Sequence, residues 1–431
     1  MKLFIAVFLL SIQCSFAQST YFPPINNSAW DTVSISELNW CATELDELIN
    51  YVGNNDSKAF IVLKDGKIVI EKYYGTFKRD SLWYWASAGK SLTAALVGIA
   101  QEKNFLNIQE ESSNYLGKGW TSCDSTSEQK IKIVHQLSMS TGLNDAGLDK
   151  DCTLPTCLNC IANPGNRWAY HNAPYTLLDG IIENSSGLTL NQFVNTYVKP
   201  KTGMTGLFIK QGYNNVYVST ARSMARYGLL SLNNFIWEND TILADATFKY
   251  NMLHSSQNIN QAYGYLWWLN GTSTYMLPST QFIFNGSIVP DAPADMFSAL
   301  GKNGQIINVV PSLNLVMVRM GNPPLNGDEL PMIFNNEIWK RMNNLMCVQS
   351  SVATKKSQIK LYPNPTSKNL KIELNDDVIL SIQIIDALGK IRFESNKHLQ
   401  EIELENLNPG IYQVIVKSNN KIYSEKLSIQ Y

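Results

Sequence analysis

From Ser91 through Gln101 the chain runs eleven residues without a charged side chain. A helix that is apolar all round belongs inside a core, and this one is too short to cross a membrane. It is entered through Trp85-Ala86-Ser87-Ala88-Gly89-Lys90. Ser87 and Lys90 are three apart, so on a helix they share a face one turn apart. The spacing therefore predicts a hydroxyl beside an amine at the end of a buried helix, where backbone N–H groups are still free. A lysine desolvated there loses its proton readily and becomes a base for the serine.

Ser-x-x-Lys is a common pattern and recurs at Ser127/Lys130, Ser357/Lys360 and Ser418/Lys421, in polar or strand-like surroundings that open no long apolar helix. A plain N-cap is the competing role for Ser87. Gly89-Lys90-Ser91 imitates the end of a phosphate-binding loop, but that loop needs glycine where Tyr84 stands.

The 431 residues allow one large domain and a small one, and a formal charge of −1 leaves no basic footprint for nucleic acid. Met1-Lys2, the apolar run Leu3 to Leu10 and small residues at Ser15 to Ala17 read as a signal peptide over residues 1–18. Cys14 lacks the small residues before it that a lipoprotein signal needs, and no later apolar run reaches spanning length. The expectation is an exported protein without a transmembrane segment, secreted or at the cell surface. Removing the leader leaves six cysteines, which allow fifteen pairings. A Cys41–Cys347 bridge is expected to staple the main domain. Cys123, Cys152, Cys157 and Cys160 crowd one region; only Cys157/Cys160 has ligand-like spacing, and no histidine is near. Neither a metal nor a cofactor is called for.

Along the chain, Glu37 to Val52 has helical periodicity. Ala59 to Leu63 and Ile68 to Ile70 flank Asp65-Gly66 as a hairpin. Short helices are expected at Ile131 to Leu137, Tyr175 to Glu183, Leu190 to Val198 and Ser219 to Leu232. Strands follow at Gln305 to Val310 and Leu315 to Met320, then a closing helix from Asn335 to Met346. Strands at both ends with helices between predict an α/β domain over 30–347, one sheet covered by helices with a helical subdomain, its first and last strands meeting. Residues 348–357 read as a linker. Residues 358–431 carry some seven short alternating strands, a small C-terminal β-sandwich.

Two families resemble these segments. Residues 30 to 347 resemble the serine β-lactamase and penicillin-recognising superfamily, nearest its class C, esterase and 6-aminohexanoate-oligomer hydrolase branch, with a β-lactamase-like antiparallel sheet. The resemblance is carried in order by Ser87-Ala88-Gly89-Lys90, by Pro164-Gly165 through Tyr170-His171-Asn172, by Ser219 to Gly228, and by Tyr263 to Trp268. It implies that Ser87 forms an acyl-enzyme, that Lys90 and Tyr170 serve as base and proton relay, and that Asn172 hydrogen-bonds Lys90 and a small-molecule acyl substrate. His171 is expected to be structural or substrate-facing, and Tyr213-Asn214-Asn215 reads as a decoy without the Pro-Gly entry.

The chain departs from the family where Lys-Thr-Gly or His-x-Gly is expected. Ala299-Leu300-Gly301 is taken as that motif, with the Lys302 backbone N–H completing an oxyanion hole with that of Ser87. The rival alignment makes Lys302-Asn303-Gly304 the motif and Lys302 a side-chain cation. An alanine in place of the cation removes the charge-assisted contact to a substrate carboxylate, pointing to an esterase or amidase rather than an efficient β-lactamase or D-Ala-D-Ala peptidase. The tail resembles the sorting domain of type IX secretion cargo, through Leu361 to Thr366, Asp386 to Lys390 and Leu407 to Tyr412, which implies the type IX machinery as partner. The alternative of another class is a binding or sensing protein that keeps the fold without turnover.

Overall fold

Asp65 and Gly66 take positive φ (52° and 81°), the backbone of a tight two-residue hairpin turn. A side chain on Gly66 would run into the carbonyl of Tyr21, so the position admits only glycine. The turn joins β1 (Ser57–Lys64) to β2 (Lys67–Tyr73), as the alternation predicts. The computed structural model describes residues 20–347 except 148 and 326–329, and residues 359–430 except 375–378, 387–390, 398, 400, 405 and 419–421. The expected leader (1–18), the linker (348–357) and most of the Asp386-to-Lys390 turn lie outside the described residues.

The chain divides into two compact units after Cys347. In the first, one short strand precedes the long helix and two follow the insertion: β3 (Trp83–Tyr84) pairs with β5 (Asn214–Ser219), which pairs with β4 (Leu207–Gln211). Next come β6 (Trp268–Leu269), β7 (Phe297–Gly301), β8 (Gln305–Val310) and β9 (Leu315–Gly321). The main sheet has the order β2-β1-β9-β8-β7-β6 and every pair is antiparallel. First and last strands therefore meet, Ile61 opposite Val318.

The two-residue period of a strand decides what covers each face. Val316 and Ile307 touch helix α4 (Ala221–Leu232) at Gly228. On the opposite face Arg319 meets the Phe334 ring and Asn308 bonds Asn335, both on α5 (Met332–Leu345). Because both faces are covered, β8 and β9 are buried along their whole length and are mostly apolar, broken only by the bonded polar residues Gln305, Asn308 and Arg319. α1 (Leu45–Asn54) packs beside α5. It starts eight residues later than the expected Glu37, because Ser34 and Glu37 cap one another in a turn and Asn39 takes φ 55°.

The uncharged run is α2 (Lys90–Glu102), buried at every residue from Lys90 to Ala100. It packs against α3 (Asn172–Ser186). Between them in sequence lies the insertion, with its own small core of Trp120, Ile131, Leu143, Leu158 and Ala173. The Cys123–Cys160 and Cys152–Cys157 disulfides tie it, so these four cysteines are paired with one another. No described helix is long and apolar enough to cross a membrane.

Among its described residues the second unit has seven strands: β10 (Ile359–Tyr362), β11 (Asn369–Leu374), β12 (Ile379–Asp386), β13 (Ile391–Ser395), β14 (Glu401–Glu403), β15 (Gly410–Ser418) and β16 (Ile422–Ile429). They form two sheets, β10-β11-β14 and β13-β12-β15-β16, around Ile372, Ile382, Ile384, Val414 and Val416.

The expected Cys41–Cys347 disulfide is present and joins residues 306 apart in sequence. It closes the N-terminal approach to α1 onto the end of α5, where the Cys41 N–H also bonds the Leu345 carbonyl at 2.8 Å. All ten tryptophans lie at or before residue 339, so tryptophan fluorescence reports the first unit alone. Replacing both cysteines by serine is expected to lower its urea midpoint by the equivalent of about 2–5 kcal/mol, with the native emission spectrum retained. An unchanged midpoint would show that the staple holds nothing the fold needs.

Candidate active site

Ser87 stands in a 3-10 turn, Ala86–Gly89, immediately before α2. Trp85 anchors the turn. Its side chain is fully buried, its indole N–H donates to Ser219 Oγ at 2.8 Å and its backbone N–H donates to the Tyr217 carbonyl, also at 2.8 Å. Ala86 then takes φ 47°, a conformation that costs an alanine roughly 1–2 kcal/mol. The turn is thus held to β5 in a shape that its own backbone disfavours. Ser87 is not an N-cap: Trp85 caps the turn, Gly89 caps α2, and neither makes a side-chain cap. Instead Lys90 Nζ donates to Ser87 Oγ at 2.8 Å.

Lys90 is 4% exposed. Its ammonium lies 4.4 Å from the centre of the Tyr175 ring and 5.0 Å from that of Tyr170. Burial pulls its pKa down to about 7, against the opposing pull of the Asp151 and Asp179 carboxylates. A large part of the population therefore carries a neutral amine near neutral pH, next to a hydroxyl. Tyr170 belongs to an aromatic wall: it stacks on Trp268 (5.6 Å, 20°) and meets Tyr263 edge-on at 6.1 Å. His171 is buried and burial holds its pKa down near 4, so it is a neutral imidazole.

Asn172 opens α3, but the expected bond to Lys90 is not made. Its amide nitrogen donates to Asp151 Oδ1 at 2.7 Å, and its Oδ1 is shielded from water without a partner. The reason is a loop the sequence reading left unassigned. Lys150 accepts the Ala173 N–H, and the Cys152–Cys157 disulfide begins at the next residue after Asp151. Asp151 is thereby held at the first turn of α3, where unpaired N–H groups favour a carboxylate.

The third segment comes from β7. A Cβ on Gly301 would stand 2.6 Å from the Trp85 carbonyl, 2.8 Å from the Ala88 nitrogen and 3.1 Å from the Ser87 nitrogen. The strand end therefore lies directly on the Ser87 turn, which only a glycine permits. A Cβ on Gly304 would instead meet the Arg319 guanidinium and Phe334, in the sheet's other layer. Lys302 follows Gly301 in a short 3-10 turn with its side chain exposed, and β8 starts at Gln305. Ser87, Lys90, Tyr170 and Gly301 are thus brought together from the turn before α2, the start of α2, the loop before α3 and the end of β7.

Three neighbours escaped the sequence reading. Tyr175 and Asp179 are four apart on α3, and Asp179 interrupts an apolar run, Leu177-Leu178 before it and Ile181-Ile182 after; an acid there was the one available signal. The supposed decoy takes part as well, since Asn215 Nδ2 donates to Asp179 Oδ2 at 2.9 Å and Thr176 donates to Asn214 at 2.7 Å.

The family model for beta-lactamase matches residues 54–330, and that for the secretion system C-terminal sorting domain matches residues 360–430. Over 143 residues the chain is 28% identical to a penicillin-binding protein of Bacillus subtilis (strain 168), a match spanning 30% of each chain. Among solved structures, a Bacillus anthracis protein assigned as a 6-aminohexanoate-dimer hydrolase is similar at 18% identity and TM-score 0.56, covering 75% of this chain and 90% of its own. A beta-lactamase/D-alanine carboxypeptidase from Yersinia pestis is similar at 14% and 0.53, covering 71% and 97%. EstCE1, a hydrolase with promiscuous acyltransferase activity, is similar at 13% and 0.52, covering 71% and 98%. These low identities speak to the fold, and the family match covers more than half of the sequence: the chain belongs to the beta-lactamase family and ends in a secretion sorting domain.

Proposed function

We propose that the protein is an exported serine hydrolase that cleaves a small ester or amide through an acyl-enzyme on Ser87. The observation that carries this reading is the 2.8 Å contact between Lys90 Nζ and Ser87 Oγ, made by a lysine whose pKa burial pulls down to about 7. Neutral Lys90 takes the Ser87 proton as the Oγ bonds to the substrate carbonyl carbon. The oxyanion that forms is received by the backbone N–H groups of Ser87 and Lys302, and preorganised donors of this kind contribute several kcal/mol to such steps. Lys90, with Tyr170 beside it, returns the proton to the leaving group, and water then releases the acyl group by the reverse sequence. Asn172, whose buried amide oxygen has no hydrogen-bond partner, is assigned to substrate.

The preference for an ester or amide without a carboxylate follows from β7. Ala299 is buried where the family's strand cation is expected, and Lys302 is exposed in a separate turn. No charge-assisted contact is available at that strand position.

Intact-protein mass after reaction with a fluorophosphonate is expected to give a single adduct on the wild type and none on Ser87→Ala. Lys90→Met is expected to slow labelling by about 10²–10⁴-fold. Because the active form is the neutral amine, the wild-type rate should rise with pH and level off above about 7. No adduct on folded wild-type protein would instead favour a binding role.

Lys302 separates the two alignments. If its backbone N–H is what matters, Lys302→Ala labels at the wild-type rate while Lys302→Pro, which lacks that N–H, loses about 10²-fold. A large loss in Lys302→Ala would establish the side-chain cation reading.

The sorting domain marks the chain for export to the surface or medium. A chain ending at residue 357 is expected to accumulate in the periplasm when expressed in a host with type IX secretion. Normal surface delivery of that chain would remove the tail from the export route.

A further inference from the structure

Asp179 is 2% exposed on the apolar side of α3, and among the described residues it forms no ion pair. Its Oδ2 accepts one hydrogen bond, from Asn215 Nδ2, and its Oδ1 is buried without a partner. An unsatisfied buried carboxyl oxygen costs about 1–3 kcal/mol, and leucine or isoleucine, like its neighbours, would avoid that cost. The fold gives no reason for an acid here. The site does. Tyr175, one turn earlier on the same face, lays its ring 4.4 Å from Lys90 Nζ, so the face that carries Asp179 is the one α3 turns toward Lys90.

We propose that Asp179 is a positioning residue for Lys90: held by Asn215, its carboxylate counterbalances the lysine's charge and sets the pH at which the amine is free to take the Ser87 proton. This rests on the hydrolase reading above. The charged groups around Lys90 are Asp151 from the insertion loop and Asp179 from α3, with the Tyr170 and Tyr175 rings packed on it. Those facing Asp179 are Lys90, Glu183 on its own helix and Lys210 on β4. Burial raises the Asp179 pKa and lowers that of Lys90, so each is pushed toward its neutral form and the charge on one bears on the titration of the other. When Oγ forms its bond to the electrophile, its proton moves to Lys90, and ionised Asp179 balances the ammonium until that proton departs with the leaving group.

Removing the negative charge should make Lys90 a weaker base that stays neutral to lower pH. For Asp179→Asn the midpoint of the fluorophosphonate rate–pH curve is expected to fall by about one unit, and the high-pH plateau to fall about threefold by the Brønsted relation. A purely structural role would lower the rate at every pH and leave the midpoint in place. Tryptophan fluorescence establishes that the variant is folded. Should Asp179→Asn fail to fold, Asn215→Ala removes the donor that favours the ionised carboxyl and should shift the midpoint the same way by less. A folded variant that labels on Ser87 with the wild-type midpoint overturns this inference alone. No Ser87 adduct on wild type overturns the hydrolase reading and this inference with it.

Discussion

The desolvation of Lys90 is the interaction on which the rest of the first unit depends. An ammonium in water has no reason to give up its proton at neutral pH; one placed at the start of a fully buried helix does. That placement requires α2 to be covered on every side, by α3 and by the sheet layers that receive the preceding turn. The core is thus also the means by which a lysine and a serine acquire chemistry.

Around this pair the fold supplies rigidity from three directions. Trp85 ties the Ser87 turn to β5 through two hydrogen bonds, Gly301 lets β7 approach that turn at contact distance, and the aromatic wall of Trp268 and Tyr263 holds Tyr170. None of these depends on a surface ion pair, the kind of contact that stabilises little. The strained φ of Ala86 persists because its neighbours over-determine it.

The disulfides divide the same work by scale. Cys41–Cys347 joins the two ends of the first unit, whereas Cys152–Cys157 closes a ring of a few residues beside Asp151. The long bridge acts on the unfolded chain, where closing a large loop removes most entropy. The short one acts locally, on a loop whose carboxylate reaches Asn172 and whose field reaches Lys90.

How much of this was legible in the sequence follows from the range of each signal. The uncharged run, the Asp65-Gly66 turn and the alternating tail strands were readable because each is a local pattern with its own period. The pairing of β1 with β9 was readable from strands at both ends of a domain, and the Ser87–Lys90 contact from a three-residue spacing. The start of α1 was misplaced because side-chain bonds at Ser34 and Glu37 outcompeted helical periodicity. What only the tertiary structure decided lies across long separations. Asn172 turned to Asp151 instead of Lys90, Gly301 rather than Gly304 came to lie on the Ser87 turn, and Asn215 of an apparent decoy came to hold Asp179. No periodicity links such residues, because their contacts come from the packing of one layer on another.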